Sequence, residues 1–279
     1  MNPLLTTPAA RQSLGLLRDL IEEETGNYYS DENLELLGMK LENRVVELGL
    51  QTFLDYYYLL RYDPARAEEW PLLESAITVN ETYFWRESAA LELTARQLLP
   101  EIQQRLPGHP RIWHAACASG EEAYSMVMCL KQQATSGPVD ILATDLDQRV
   151  LEAARQGIYR QRSVRLLPPQ WLERYFEELP GERWQVKPQV AGRVSFRRLN
   201  LIDGQELDRL PQFDVIFCRN VMIYFRAARI TQLVARLARR LRPGGCLIVG
   251  ASESLLRFAP PLDFQERNGV VVYQRPFDE

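Results

Sequence analysis

Arg219, Asn220 and Tyr224 stand at or just past the end of a short apolar run inside FDVIFCRNVMIYF (213–225). Val215, Ile216 and Phe217 read as a buried strand that stops at the small residue Cys218. In open α/β sheets the ligand crevice lies outside the carboxyl ends of the strands. Three polar side chains gathered at such an end therefore mark a candidate site. For Asn220 alone, the polar start of a helix explains the residue equally well; for the three together it does not.

A second cluster lies in ACASGEEAY (116–124). Ala115, Ala116, Ala118, Ser119 and Gly120 let a ligand approach the backbone at the start of a helix. Neither GxxxxGK[ST] nor GxGxxG is present, so the loop is not one of the phosphate-binding kind. Glu121 and Glu122 open the helix instead, and one of them is accounted for by the helix dipole alone. A loop of this type suits a cationic ligand, such as a methionyl ammonium beside a sulfonium. Asp145 ends a second strand 25 residues after Gly120, close to the spacing at which an acid accepts ribose hydroxyls. Asp147 reads as the cap of the next helix. Asn200-Leu201 follow a third strand and could hold an adenine edge. Together these features point to S-adenosylmethionine, with a nicotinamide or nucleotide binder as the rival.

The elements that position these residues fall into two textures. Residues 1–70 hold 6 Lys/Arg and 13 Asp/Glu, a net of −7, whereas residues 71–279 hold 27 and 24, a net of +3. With no dominant basic stripe, nucleic acid is not an expected partner. Residues 1–70 show helical periodicity and are expected to form a small helical domain. Gly26-Asn27 ends its first helix, Ser30 or Asp31 caps the second, and a third runs from near Thr52 to before Pro64. Residues 71–110 form a connecting helical region broken by Pro100, Pro107 and Pro110. From Arg111 onward strands and helices alternate. Strands are expected at 112–116, 139–145, 194–196, 215–218 and 246–250, the last reached through a turn at Pro243-Gly244-Gly245. Helices are expected at 121–130, around 148–156 and at about 227–241. Asn268-Gly269 signals a hairpin into a final strand at 270–273. A doubly wound, mostly parallel sheet over 111–279 follows, with a β-hairpin inserted at about 172–193.

Composition narrows the class. Hydrophobic residues make up 46% and charged residues 25%, as in an ordinary globular protein. No run of about 18 apolar residues is present to cross a membrane, and the start, MNPLLTTPAA, lacks the pattern of a secretory signal. Four scattered cysteines and two histidines do not make a metal site, and reduced thiols in a cytoplasmic protein are expected.

Six segments, taken in order, resemble the CheR family of chemotaxis-receptor glutamate O-methyltransferases. They are TVNETYFWRE (78–87), WHAACASGEEAYSM (113–126), ATDLDQRVLEAARQGIY (143–159), LNL (199–201), FCRNVMIYF (217–225) and LRPGGCLIVGASES (241–254). The resemblance covers about residues 15–275. It implies a class I S-adenosylmethionine-dependent methyltransferase fold, with S-adenosyl-L-homocysteine as the product. It further implies cofactor contacts from Asn80, Thr82, Arg86, Glu122, Asp145, Asn200, Leu201, Arg219 and Asn220. Arg86 and Tyr224 match positions that orient the reacting carboxylate. Trp85 stands where the family usually has Phe, a change expected to be neutral.

The implied substrate is a glutamate side chain on the cytoplasmic helices of a methyl-accepting chemotaxis receptor. A glutamate, with a reference pKa near ~4.3, needs no general base. The family's basic docking helix is diluted here, since GMKLENRVVELGL (38–50) offers only Lys40 and Arg44 beside Glu42 and Glu47. Arg160, Arg162 and Arg165 are an alternative docking group. The short, glycine-poor insert is expected to hold a receptor-tail peptide weakly or not at all. Two other readings remain: a noncatalytic scaffold binding the cofactor or its product, and a small-molecule carboxyl methyltransferase.

Overall fold

The computed structural model describes residues 7–105, 108–133 and 137–277. Contacts divide the chain into a helical unit, residues 1–79 with 224–229, and a sheet unit, residues 80–223 with 230–279.

In the helical unit, α1 (Pro8–Thr25) begins where the Thr7 hydroxyl accepts from Ala10 N and ends at Gly26 in the left-handed region. Helix α2 (Leu34–Glu47) follows a 3-10 turn at Asp31–Asn33, and neither Ser30 nor Asn33 caps through its side chain. The expected Ser30 or Asp31 cap is thus replaced by the tighter turn. Helix α3 (Phe53–Tyr62) starts in a capping box between Thr52 and Asp55. A fourth helix, α4 (Arg66–Ile77), runs through Pro71, and residue 70, expected as a boundary, falls inside it. Its buried Leu73 and Ile77 complete a core with Leu17, Ile21, Leu37, Leu41, Phe53 and Tyr56. That packing outweighs the hydrogen bond lost at the proline.

The sheet unit opens with a helical run over Ser88–Arg105 containing a π turn at Thr94–Leu98. Pro100 lies within this run rather than breaking it, since the wider turn just before it absorbs the missing N–H. Pro110 precedes the first strand, and Pro107 lies outside the described residues.

Ten strands follow in chain order among the described residues: β1 (Arg111–Ala115), β2 (Asp140–Asp145), β3 (Ile158–Arg160), β4 (Phe176–Leu179), β5 (Arg183–Val186), β6 (Val194–Arg198), β7 (Phe213–Cys218), β8 (Leu241–Val249), β9 (Asp263–Arg267) and β10 (Val270–Gln274). Seven form one sheet, ordered β6-β2-β1-β7-β8-β10-β9, whose first five strands are parallel. Strands β9 and β10 are antiparallel and joined at Asn268-Gly269, both at positive φ, as a two-residue hairpin demands. The turn expected at Pro243-Gly244-Gly245 lies within β8 as a bulge, seen as a register shift against Phe213 and Val215. The insert is a three-stranded antiparallel sheet, β3-β5-β4, with β3 added to the expected hairpin. Helices α5 (Glu121–Gln132), α6 (Gln148–Gln156) and α7 (Ala227–Arg240) match the helices expected there. The four cysteines are buried free thiols.

Candidate active site

The strand order reverses between β1 and β7, and the crevice forms at their carboxyl ends. Register sets its floor: Ala115 pairs with Thr144 on one side and Cys218 on the other, and Asp145 pairs with Arg198. The residues that follow these strands are therefore brought to a single edge.

After β1 the chain turns sharply, with Ala116 and Ala118 at φ of 58° and 47° and Gly120 at 89°. A Cβ at Gly120 would meet Ala154 and Phe196 at 3.0 Å, so the start of α5 sits too tightly for any side chain there. Cys117 N donates to Thr144 O (2.9 Å) and Ala118 N to Asp145 Oδ2 (2.8 Å). Asp145 Oδ1 accepts from Asp147 N (3.0 Å). Burial pushes the Asp145 carboxyl up to about 6 despite these donors. Asp147 caps α6 by accepting from Arg149 N, as expected, and its other oxygen accepts from Asn80 Nδ2 (3.0 Å). Leu199 N donates to Asp145 O (2.9 Å). That bond carries the half-buried Asn200 and buried Leu201 to the same edge.

The two acids that open α5 take different roles. Glu121 is buried and accepts from the Ser119 hydroxyl (2.7 Å). Glu122 receives Arg219 NH1 on one oxygen (2.6 Å) and His114 Nδ1 on the other (2.7 Å). Burial alone would raise the Glu122 carboxyl, but the Arg219 guanidinium and the His114 hydrogen bond outweigh it and hold it down to about 2. As an ionised carboxylate only accepts, the proton in the second bond sits on His114 Nδ1. The imidazole stacks on Phe217, ring centroids 4.7 Å apart. Arg219 also reaches Glu87 through NH2 (2.6 Å). Two buried nitrogens here, His114 Nε2 and Arg219 Nε, have no partner among the described residues.

The segment before the first helical run borders the same crevice. Phe84 is buried between Tyr159 and Phe176 and anchors the segment. Trp85 is half-buried edge-on to Trp171, centroids 4.3 Å apart. Arg219 NH2 lies 3.5 Å from Arg86 O. The Arg86 side chain donates to Glu81 O (3.0 Å) and lies over the Tyr83 ring. Thr82 is half-buried on this segment.

Asn80, Arg86, Glu122, Asp145, Asn200, Leu201, Arg219 and Asn220 are thus linked along one strand edge, with Thr82 on the adjoining segment. Tyr224, four residues after Asn220 in the chain, groups with the helical unit, where its carbonyl accepts from Tyr28 N (2.9 Å). Sequence reasoning missed His114 and Glu87. A polar residue in the middle of the apolar strand IWHAA was the available signal for the first. Glu87 shows its importance only through its left-handed backbone, φ 47°.

Chemically, the crevice holds an ionised carboxylate, small residues and more negative than positive charge, since Glu122 and Glu87 share one arginine. No group of three or more His, Cys, Asp or Glu among the described residues could hold a metal ion. This donor set fits a nucleoside with a cationic tail, the form of S-adenosylmethionine.

Two family models match the chain: the CheR methyltransferase all-alpha domain over residues 12–78 and the CheR methyltransferase SAM binding domain over residues 80–268. "Chemotaxis protein methyltransferase 2" of Vibrio cholerae is 35% identical over 263 residues, covering 93% of this chain and 91% of its own length. "Chemotaxis protein methyltransferase 1" of Pseudomonas aeruginosa is 35% identical over 256 residues, covering 88% and 92%. "Chemotaxis protein methyltransferase" of Escherichia coli is 35% identical over 243 residues, covering 85% and 82%. The chain belongs to the CheR methyltransferase family.

Proposed function

We propose that this methyltransferase esterifies glutamate side chains on the cytoplasmic helices of a chemoreceptor, as part of chemosensory adaptation. The observation that carries the reading is the crevice at the β1/β7 reversal, where Glu122 is kept ionised beside Arg219 at the same sheet edge as Asp145 and the Asn80–Asp147 pair. In this reading Glu122 holds the ammonium of the cofactor's methionyl part. Asp145 accepts from the ribose, Asn200 and Leu201 border the adenine, and Asn80, Thr82, Arg86, Arg219 and Asn220 complete the pocket. The connecting stretch 71–110 contributes to the pocket through residues 80–86.

S-adenosylmethionine supplies a methyl group on a cationic sulfur. Transfer of that methyl to a carboxylate oxygen would call for no proton to be moved by the chain. The chain's own task is therefore to bind and align two partners rather than to activate one. Arg86 draws the carboxylate in without pairing so tightly as to quench it, and Tyr224 orients it, a role assigned by the family resemblance. Removing Arg86 is expected to weaken binding more than the single-turnover rate. An Arg86→Ala enzyme with intact affinities and a collapsed rate would overturn that division of labour.

Lys40 Nζ donates to Ile77 O (2.9 Å), and Arg44 is engaged by Glu69 and Glu47. The two cations of α2 are thus turned to internal partners, which favours a receptor surface recognised by more than acidic charge. Arg165 lies over Tyr83, whereas Arg160 and Arg162 line an open cleft with Arg183.

The decisive experiment is methyl transfer from labelled cofactor to purified receptor cytoplasmic fragments. Base-labile methyl incorporation at glutamates is expected. Tight S-adenosylhomocysteine binding with no transfer to any fragment would favour the scaffold, and transfer only to free carboxylic acids the small-molecule enzyme.

A further inference from the structure

The last residue but one of LRPGGCLIVGASES (241–254), Glu253, is not used by the site described above. Strand β8 pairs alongside β7, with Val249 opposite Cys218, so the segments that leave the two strands start side by side. Just past β8 the chain folds back, Glu253 N donating to Gly250 O (2.9 Å). The Glu253 side chain, only 6% exposed, then points into the turn that follows β7. Its Oε2 accepts from Asn220 N (2.6 Å) and Gly250 N (2.9 Å). Its Oε1 accepts from Met222 N (2.8 Å) and Ile223 N (3.3 Å).

Four main-chain donors thus converge on one carboxylate. Asn220 is at φ 58°, a conformation a non-glycine residue holds only when its surroundings fix it. Without the carboxylate the Met222 and Gly250 N–H groups would be buried unpaired, and buried backbone donors are almost always satisfied. A glutamine there would turn an amide N–H₂ toward N–H groups. Gly250 makes room for the arrangement: a Cβ would come within 2.7 Å of Glu253 Oε2 and 2.9 Å of Asn220 Nδ2. Backbone N–H groups converging in this way are a ready anion site. Here the chain's own anion fills it, so an incoming carboxylate must be held by side chains.

We propose that Glu253 is a positioning residue for the cofactor crevice, locking the loop after β7 so that Arg219 and Asn220 are presented together. Glu253 acts through that loop and touches neither reactant. The inference rests on the cofactor reading given above.

The test titrates S-adenosylhomocysteine calorimetrically into the unaltered protein, Glu253→Gln and Gly250→Ala, and follows amide hydrogen exchange in all three without ligand. Glu253→Gln is expected to weaken binding about tenfold. It should also speed exchange at Asn220, Met222 and Ile223 while β1 and β2 stay protected. Gly250→Ala should do the same by displacing the carboxylate, and decides the matter if Glu253→Gln fails to fold. Unchanged affinity, unchanged exchange in the loop, or faster exchange spread evenly over the chain would each overturn the proposal. If the unaltered protein bound no S-adenosylhomocysteine, the cofactor reading would fall, while the exchange measurement would still decide whether Glu253 holds the loop.

Discussion

Both units bury an arginine against a glutamate, and the two pairs are built differently. In the helical unit Arg44 meets Glu69 with two nitrogens at once, Nε at 2.9 Å and NH2 at 2.6 Å, and the Tyr56 hydroxyl adds a third donor at 2.7 Å. The Glu69 side chain is 4% exposed and that of Arg44 14%, and the remaining Arg44 nitrogen turns outward to Glu47 at the surface. In the sheet unit Arg219 is divided between Glu122 and Glu87, its Nε has no partner, and the Glu122 side chain is 19% exposed. A buried ion pair that satisfies itself holds a fold together. One that leaves charge and donors over, at the mouth of a crevice, is prepared for a ligand.

The largest expected effect tests the first half of that contrast. Arg44→Met should leave Glu69 as an uncompensated buried charge and cost about 3–5 kcal/mol in denaturant unfolding. The affinity of the sheet unit for S-adenosylhomocysteine should be unchanged; a parallel loss of binding would show that the two networks are not independent.

Asp145 sharpens the second half. Its carboxyl, at about 6 against an ordinary 3.8, holds a proton more tightly in the folded than in the unfolded chain. The contribution to stability is complete below pH 3.8 and is lost as pH rises through about 6. A cofactor that donates ribose hydroxyls to the ionised form gains affinity over the upper part of that window. Binding of S-adenosylhomocysteine should tighten by about tenfold from pH 5 to 7, and Asp145→Asn should flatten the profile. A flat profile in the unaltered protein would count against this role.

The smallest effect concerns His114. Replacing it by Phe keeps the stack on Phe217 but removes the hydrogen bond to Glu122, which should weaken cofactor binding by about fivefold, on the order of 1 kcal/mol. Asn, which keeps a donor near the Nδ1 position, should restore most of it. Unchanged binding in the Phe variant, with a loss in the Asn variant, would make His114 a packing residue only.

Much of the sheet unit was legible because each strand is a compact apolar run closed by a turn residue or an acid. Val215 to Cys218, Ile141 to Asp145 and Asn268-Gly269 all speak locally. Strand β3 was not legible: it is three residues long, and its partner β5 lies far along the chain. The starts of α4 and β8 were hidden because Pro71 and Pro243-Gly244-Gly245 carry the local signature of a break that packing overrides. Within the site, Glu122, Asp145, Arg219 and Asn220 could be read from their places after strands or at a helix start. His114, Glu87 and Glu253 could not, because each acquires its role from a partner that only folding brings near.

The buried thiols described with the fold carry a practical consequence. Burial pushes Cys129 and Cys246 up to about 12 and raises Cys117 and Cys218 as well, so almost none is present as the reactive thiolate at neutral pH. Alkylating reagents should pass over the native enzyme and label it only as segments open. With Cys117 in the turn just after β1 and Cys218 at the end of β7, their labelling rates form a built-in clock for breathing at that edge, and Cys129 and Cys246 supply the reference from the interior.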